Sequence, residues 1–256
     1  MRINYNNGYY EGQVLYDEPN GYGAFYWNNG DWEEGFFSNG NLQRGKYHFA
    51  NGVVYEGPFD SDGRFHGKGK KTYKDGDTYT GDFYHGVETG YGIYRWHDGG
   101  YLEGQFKNFK IQRGKRVFSS GDTYEGTFDE NENLHGKGKY CFSDGFVYEG
   151  DWFHGERTGY GVIWSTKDKY RYEGHFLNGL RDGHGTVRYS NEDDRVYEGN
   201  FKEGKRNGKF TITFDNGKKI DRVYEDDNIA DGIIENIDEN GETNYYYYKN
   251  GDFFGL

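Results

Sequence analysis

The 256-residue chain has a single cysteine, a single methionine and two prolines. One cysteine, Cys141, excludes an internal disulfide and fits a reducing compartment. Scarce proline, without three-residue glycine spacing, excludes a collagen-like chain. Hydrophobic residues make up only 33%, against roughly 45–50% in an ordinary globular domain. No apolar run is long enough to span a bilayer as a helix, and no signal-peptide core follows Met1. Cations are also short: 31 Lys and Arg face 43 Asp and Glu, for a net charge of −12. Residues 218–256 hold four basic and ten acidic residues, so half of that excess sits in the tail. Nucleic-acid binding needs many cations to displace counterions from phosphates, and this balance disfavours it. Attachment to anionic lipid is disfavoured for the same reason. The expectation is a soluble, cytoplasmic protein.

Glycine and aromatic residues are what the chain has in plenty: 43 Gly, and 20% Phe, Trp and Tyr. A disordered chain is poor in aromatics. The composition instead indicates a β-rich protein whose apolar surface consists of rings.

The sequence is periodic. An element of the form Tyr-Glu-Gly-x-Phe/Trp places glycines at 12, 35, 57, 81, 104, 126, 150, 174 and 199, at intervals of 22 to 25 residues. A Gly-x-Gly element follows each, as in "GYGAFYW" and "GKGKYCF", and a DG or NG dipeptide generally closes the unit. Alternation along a strand puts Tyr, Gly and Phe on one face and Glu on the other. DG and NG suit the positive φ angles of tight hairpin turns. Each unit therefore reads as a β-hairpin. Every glycine weakens a strand by roughly 0.5–1 kcal/mol, and a ring seated over it, worth roughly 1.5–3 kcal/mol, compensates.

A longer period of 69 residues relates "YTGDFYHGVETGYG" (79–92) to "YEGDWFHGERTGYG" (148–161). The middle hairpin of each block replaces its first glycine by glutamine, in "LQRGK" (42–46) and "IQRGK" (111–115), and moves its opening aromatic to Trp32 or Tyr101. These stretches, Gln43–Lys46 and Gln112–Lys115, are either partner contacts or adjustments of twist; the latter is favoured.

The stretches "YEGDWFHGERTGYGVIW", "YEGHFLNGLRDGHGTVRY" and "YTGDFYHGVETGYGIYRW" resemble MORN repeats (membrane occupation and recognition nexus). The resemblance covers about residues 8–217, and the repeat array is expected over 1–217, with units starting near 10, 33, 55, 79, 102, 124, 148, 172 and 197. Residues 218–256 are expected to be a degenerate, acidic terminal repeat or cap: a tenth unit at 224–241 and a last strand at 244–256. The implied fold is all-β, an elongated single-layer antiparallel meander of about nine to ten MORN hairpins. Nine hairpins at about 4.8 Å per strand imply a rod of roughly 85 Å. The implied function is a non-catalytic scaffold in a cytoskeletal or ciliary assembly, binding an extended or helical protein segment. A tether binding phospholipid headgroups is the alternative, with Lys68, Lys70, Lys71, Lys137 and Lys139 as its basic patch. Sheet ends also invite homodimer formation.

A phosphate loop needs glycines leading into a helix N-terminus, whereas each Gly-x-Gly here opens a strand. His66, His85, His135, His154 and His184 read as loop residues, because no carboxylate spacing repeats with them. Cys141 has no recognisable partner for nucleophilic chemistry. No catalytic residue, metal or cofactor is expected. The candidate partner-binding residues are the rings of an uncovered sheet face. Those on first strands are Phe59, Phe83, Phe106, Phe128, Trp152 and Phe176. Those on second strands are Tyr73, Trp96, Phe118 and Phe142.

Overall fold

The computed structural model of the chain describes residues 1–190, 194–229, 232–237, 243–249 and 252–255, with side chains as far as residue 228. Among these residues there are strands and turns and no helix. Contacts divide the chain into two compact units, Met1–Gly121 and Asp122–Leu256.

In the first unit, eleven strands run from Arg2–Tyr5 to Lys110–Val117. Each described pairing joins neighbours in sequence, antiparallel. The second unit repeats the pattern from Thr123–Phe128 to Asn228–Ile229. It also contains a three-stranded sheet of Gly232–Ile237, Thr243–Lys249 and Asp252–Gly255. The expected last strand is thus two strands. Positions 230–231 and 238–241 of the expected tenth unit lie outside the described residues.

The turns obey the glycine signal. Gly30, Gly52, Gly76 and Gly145 have φ between 90° and 103°. Each donates its N–H to the carbonyl three residues earlier, as Gly76 does to Tyr73 at 3.1 Å. Residues in the preceding turn fasten the next hairpin. Asp77 accepts the Tyr94 hydroxyl at 2.8 Å and the His97 N–H at 2.9 Å. Asp31 does the same for Tyr47 and Ala50, and Asp122 for Tyr140 and Ser143.

Glycines face one another across the strands, so that each sheet carries a glycine row at right angles to its chains. In the first unit the register joins Gly69 to Gly81, Gly81 to Gly92 and Gly92 to Gly104. The Tyr79 ring lies over Gly81 and Gly92; a Cβ built on Gly92 would fall 2.3 Å from its hydroxyl oxygen. Tyr55, Tyr124, Tyr148 and Tyr172 sit in the same way over their own glycine pairs. All five are at most 1% exposed. Glycine is required there because any side chain would occupy the space of the ring.

Tyrosine is used rather than phenylalanine for a further reason. Second strands generally carry extra residues opposite the first, such as Gly90–Tyr91 and Gly159–Tyr160. Gly90 and Gly159, at φ 58° and 56°, make those bulges possible. Beside this irregularity the buried hydroxyl donates to a first-strand carbonyl: Tyr55 to Pro58 at 2.9 Å, Tyr124 to Thr127 at 2.9 Å, Tyr172 to His175 at 2.8 Å. In the hairpin that begins at Arg195, Phe210 replaces the second glycine and its own ring covers Gly199.

The middle hairpins differ. Phe36 pairs with Arg44 and Phe37 with Leu42, leaving one unmatched residue, Gln43. Gln112 is left over in the same way between Arg113 and Ile111. Neither glutamine has a positive φ, so this shorter bulge does not need glycine. Glu33 and Leu102 stand where other hairpins have the seated tyrosine. In these hairpins Leu42 and Ile111 are buried on the second strand, at 4% and 0% exposure.

Candidate functional site

The ring ladder expected to face a partner is largely sealed. Phe59, Phe83, Phe106, Phe128, Trp152 and Phe176 are all 8% exposed or less. They pack edge to face on the seated tyrosines: Phe83 between Tyr55 and Tyr79 at 5.0 and 5.3 Å, and Trp152 between Tyr124 and Tyr148 at 5.6 and 5.2 Å. A sheet face without a second layer is therefore not an open strip, because rings from successive strands cover one another. The second-strand rings are half-buried at the turn edge. Tyr73 donates to Glu88 at 2.9 Å, Arg116 lies over both Trp96 and Phe118, and Phe142 packs on Tyr140.

Two charged variants interrupt the ladder. Glu88 lies opposite Phe83, 2% exposed, and accepts from the Lys71 ammonium at 3.0 Å as well as from Tyr73. Burial, reinforced by the Glu88 charge, pushes the Tyr73 hydroxyl well above its ordinary range. In the second block the same place holds Arg157, opposite Trp152. Its guanidinium lies over Tyr148 and Phe176 and donates to the Gly179 carbonyl at 2.6 Å. Arg181 repeats the arrangement over Tyr172 and Phe201.

The other sheet face holds the accessible rings. In the first unit it forms a cleft of about 740 Å³ that crosses seven strands, floored by Gly35, Gly45, Gly57, Gly69 and Gly81. Tyr22, Phe36 and Tyr91 line it at 52%, 62% and 47% exposure. Tyr22 and Phe36 meet edge to face at 5.5 Å, and the Tyr91 hydroxyl donates to Glu103 at 2.5 Å. This hydrogen bond, followed by burial, raises the Tyr91 pKa. The second unit has a smaller, polar counterpart of about 470 Å³, where Tyr160 donates to Glu173 at 2.8 Å. The cleft rings were absent from the sequence expectation, although their alternation with the glycines placed them on this face.

Four of the five lysines of the lipid reading stand in specific contacts. Lys68 pairs with Asp82 at 2.7 Å, Lys137 with Asp151 at 2.6 Å and Lys71 with Glu88, while Lys139 lies over the Trp164 ring. Only Gly67–Gly69 opens its strand; the other Gly-x-Gly elements, such as Gly90–Gly92 and Gly159–Gly161, lie in mid-strand because pairing begins before the bulge.

The histidines do converge with carboxylates, contrary to the sequence reading. Asp60, His66 and His85 form one triad, and Asp129, His135 and His154 another, with ligand-capable atoms within 4.8 Å of one another. Asp60 and Asp129 are also 69 residues apart. The signal was present, but the aspartates sit in loops of otherwise unrelated sequence, "DSDGRFHG" and "DENENLHG".

The family model described as "MORN repeat" matches residues 10–32, 55–78, 79–101, 124–147, 148–169, 172–193 and 197–219. The two hairpin-length intervals without a match, 33–54 and 102–123, are the hairpins with the shorter bulge. No curated protein matches the chain. Among solved structures, the chain is similar to the G-box domain of the microcephaly protein CPAP, at 14% identity and a TM-score of 0.43, over 80% of this chain and 100% of that one. It is also similar to the SAS-4 (dCPAP) TCP domain of Drosophila melanogaster, solved with a proline-rich motif of Ana2 (dSTIL), at 12% identity and a TM-score of 0.29, over 84% and 96% of the two chains. At these TM-scores nothing about binding follows from the likeness. The family matches cover more than half of the residues and follow the observed hairpins, and the chain belongs to the MORN-repeat family.

Proposed function

We propose that the chain is a non-catalytic interaction scaffold whose glycine-floored cleft, within residues 1–121, takes up a segment of a protein partner. The observation that carries this reading is the set of exposed rings, Tyr22, Phe36 and Tyr91, lining one cleft. Rings of this kind supply most of the affinity at protein interfaces. Seven strands at about 4.8 Å give a cleft roughly 30 Å long, enough for about nine extended residues. Its walls carry both charge signs, Glu34 and Glu56 beside Arg44, Lys46 and Lys68. The fitting segment has apolar anchors flanked by acidic and basic residues. Tyr73, Trp96 and Phe118 at the turn edge are a secondary contact, as is Phe142 in the second unit. The six sealed rings hold the sheet that presents these surfaces.

The setting, a cytoplasmic cytoskeletal or ciliary assembly, rests on the family alone. Lipid binding is disfavoured by the ion pairs that occupy two of the cleft lysines, Lys46 and Lys68.

The test is affinity capture followed by mass spectrometry, with wild type, the pair Phe36→Ala and Tyr91→Ala, and Leu177→Ala as an exposed control outside the cleft. Partners held by wild type and by the control, and lost by the pair, support the reading. Capture that is unchanged by the pair refutes it. Flotation with anionic vesicles is expected to leave the protein in the lipid-free fraction.

A further inference from the structure

We propose that the two triads, Asp60–His66–His85 and Asp129–His135–His154, are a duplicated pair of binding sites for a zinc-class divalent cation. The inference is independent of what the cleft binds. Each site lies within one compact unit.

Three observations carry it. First, the geometry is duplicated. His85 Nδ1 lies 2.7 Å from Asp60 Oδ2, and His154 Nδ1 lies 2.6 Å from Asp129 Oδ2. The His66 and His85 rings are centred 5.9 Å apart, and His135 and His154 5.5 Å apart.

Second, the carboxylates are aimed. Asp60 Oδ1 accepts the N–H groups of Asp62 and Arg64 at 3.0 and 2.9 Å. Asp129 Oδ1 accepts those of Asn131 and Asn133, both at 2.9 Å. The loop thus holds one oxygen and turns the other toward the histidines, the orienting outer contact that metal ligands commonly have. The Asn133 side-chain amide also donates to Asp129 Oδ2, at 3.1 Å.

Third, His66 and His135 each have a buried Nδ1 without a hydrogen-bond partner. A buried polar atom left without a partner is costly, and here the same atom is left so twice. The fold does not ask for histidine at these places. His85 and His154 adopt φ 49°, and at the same turn position Asn39, Asn108 and Asn178 adopt 47°, 50° and 49°. Where His66 and His135 precede the bulge glycine, other hairpins have Thr89 and Thr158.

Two imidazoles and one carboxylate suit a first-row ion such as Zn²⁺, whereas Ca²⁺ and Mg²⁺ prefer all-oxygen shells. Three protein ligands leave a fourth position for water or for a ligand from a partner. Zinc bonds of about 2.0–2.1 Å in tetrahedral geometry set neighbouring ligand atoms about 3.3 Å apart. Binding therefore parts each His–Asp pair by side-chain rotation, and each imidazole ligates in its neutral form. The bound ion ties the loop that begins at Asp60 or Asp129 to the turn of the next hairpin.

The test uses the full chain, stripped with a chelator, dialysed against micromolar Zn²⁺ and analysed for metal by mass spectrometry. Wild type is expected to hold two zinc ions per chain, His85→Asn one, and His85→Asn with His154→Asn none. The asparagine variants copy the turns at Asn39, Asn108 and Asn178, so they are expected to fold, with unchanged far-UV circular dichroism. His66→Thr with His135→Thr, copying Thr89 and Thr158, is expected to lose both ions too. Cobalt substitution is expected to give visible d–d absorption in wild type, about half as much in His85→Asn, and none in either double variant. Fewer than two zinc ions on wild type, or two retained by a double variant, overturns the proposal.

Discussion

Tyr148 donates its hydroxyl to the backbone carbonyl of Asp151, 3.0 Å away, at the point where the strand pairing shifts between Gly150 and Asp151. The ring lies over Gly150 and Gly161, and its hydroxyl reaches the carbonyl beside the bulge. One residue thus fills the space above the glycines and adds a side-chain hydrogen bond at the bulge.

Removing these two contributions separately is expected to give different losses. Tyr148→Phe deletes only the hydrogen bond and is expected to cost about 1 kcal/mol. Gly161→Ala places a Cβ 2.5 Å from the Tyr148 hydroxyl oxygen and 2.6 Å from Cε2, and overpacking of this kind costs about 1–3 kcal/mol. Urea denaturation midpoints check both.

Ladder rings and cleft rings are expected to separate cleanly in stability. Phe83→Ala removes a ring that is 3% exposed and is expected to cost about 3–5 kcal/mol. Phe36→Ala removes one that is 62% exposed and is expected to stay within about 0.5 kcal/mol of wild type. Thermal unfolding of the two variants side by side decides it.

Glu33 makes stability depend on pH. Burial raises its carboxyl to about 7 from the ordinary value of 4.5. The folded state therefore holds a proton that the unfolded state has lost between those values, so stability falls as pH rises from 4.5 to about 7. Glu33→Leu, which copies Leu102 of the second block, is expected to stabilise the protein more at pH 8 than at pH 4.5, by about 2–3 kcal/mol. Paired denaturation curves at the two pH values measure this difference.

The Lys71–Glu88 pair is expected to be expensive to break and cheap to replace. The two side chains are 17% and 3% exposed. Glu88→Ala leaves the ammonium and the Tyr73 hydroxyl without their acceptor and is expected to cost about 3–5 kcal/mol. Lys71→Met with Glu88→Leu removes both charges together and is expected to lose much less. A double-mutant cycle followed by chemical denaturation tests the contrast.

Much of the hairpin ladder was legible because its rules are local. Alternation assigned Tyr79, Gly81 and Phe83 to one face, and the DG and NG dipeptides located turns that have the required positive φ. The glutamine units stood out as irregular, but their cause, a bulge with one leftover residue rather than two, needed the strand register.

The sequence by itself determined the repeat, the family, the antiparallel hairpins and the pairing of rings with glycines. These follow from short-range periodicity and backbone conformational preference, which act within a few residues. Only the tertiary structure decided which rings remain accessible. Phe83 is covered by Tyr55 and Tyr79 from neighbouring hairpins, whereas Phe36 on the opposite face is not covered. Only the tertiary structure, likewise, brought Asp60 to His85, 25 residues away. Both outcomes depend on lateral stacking between hairpins, where side chains far apart in sequence share one small volume.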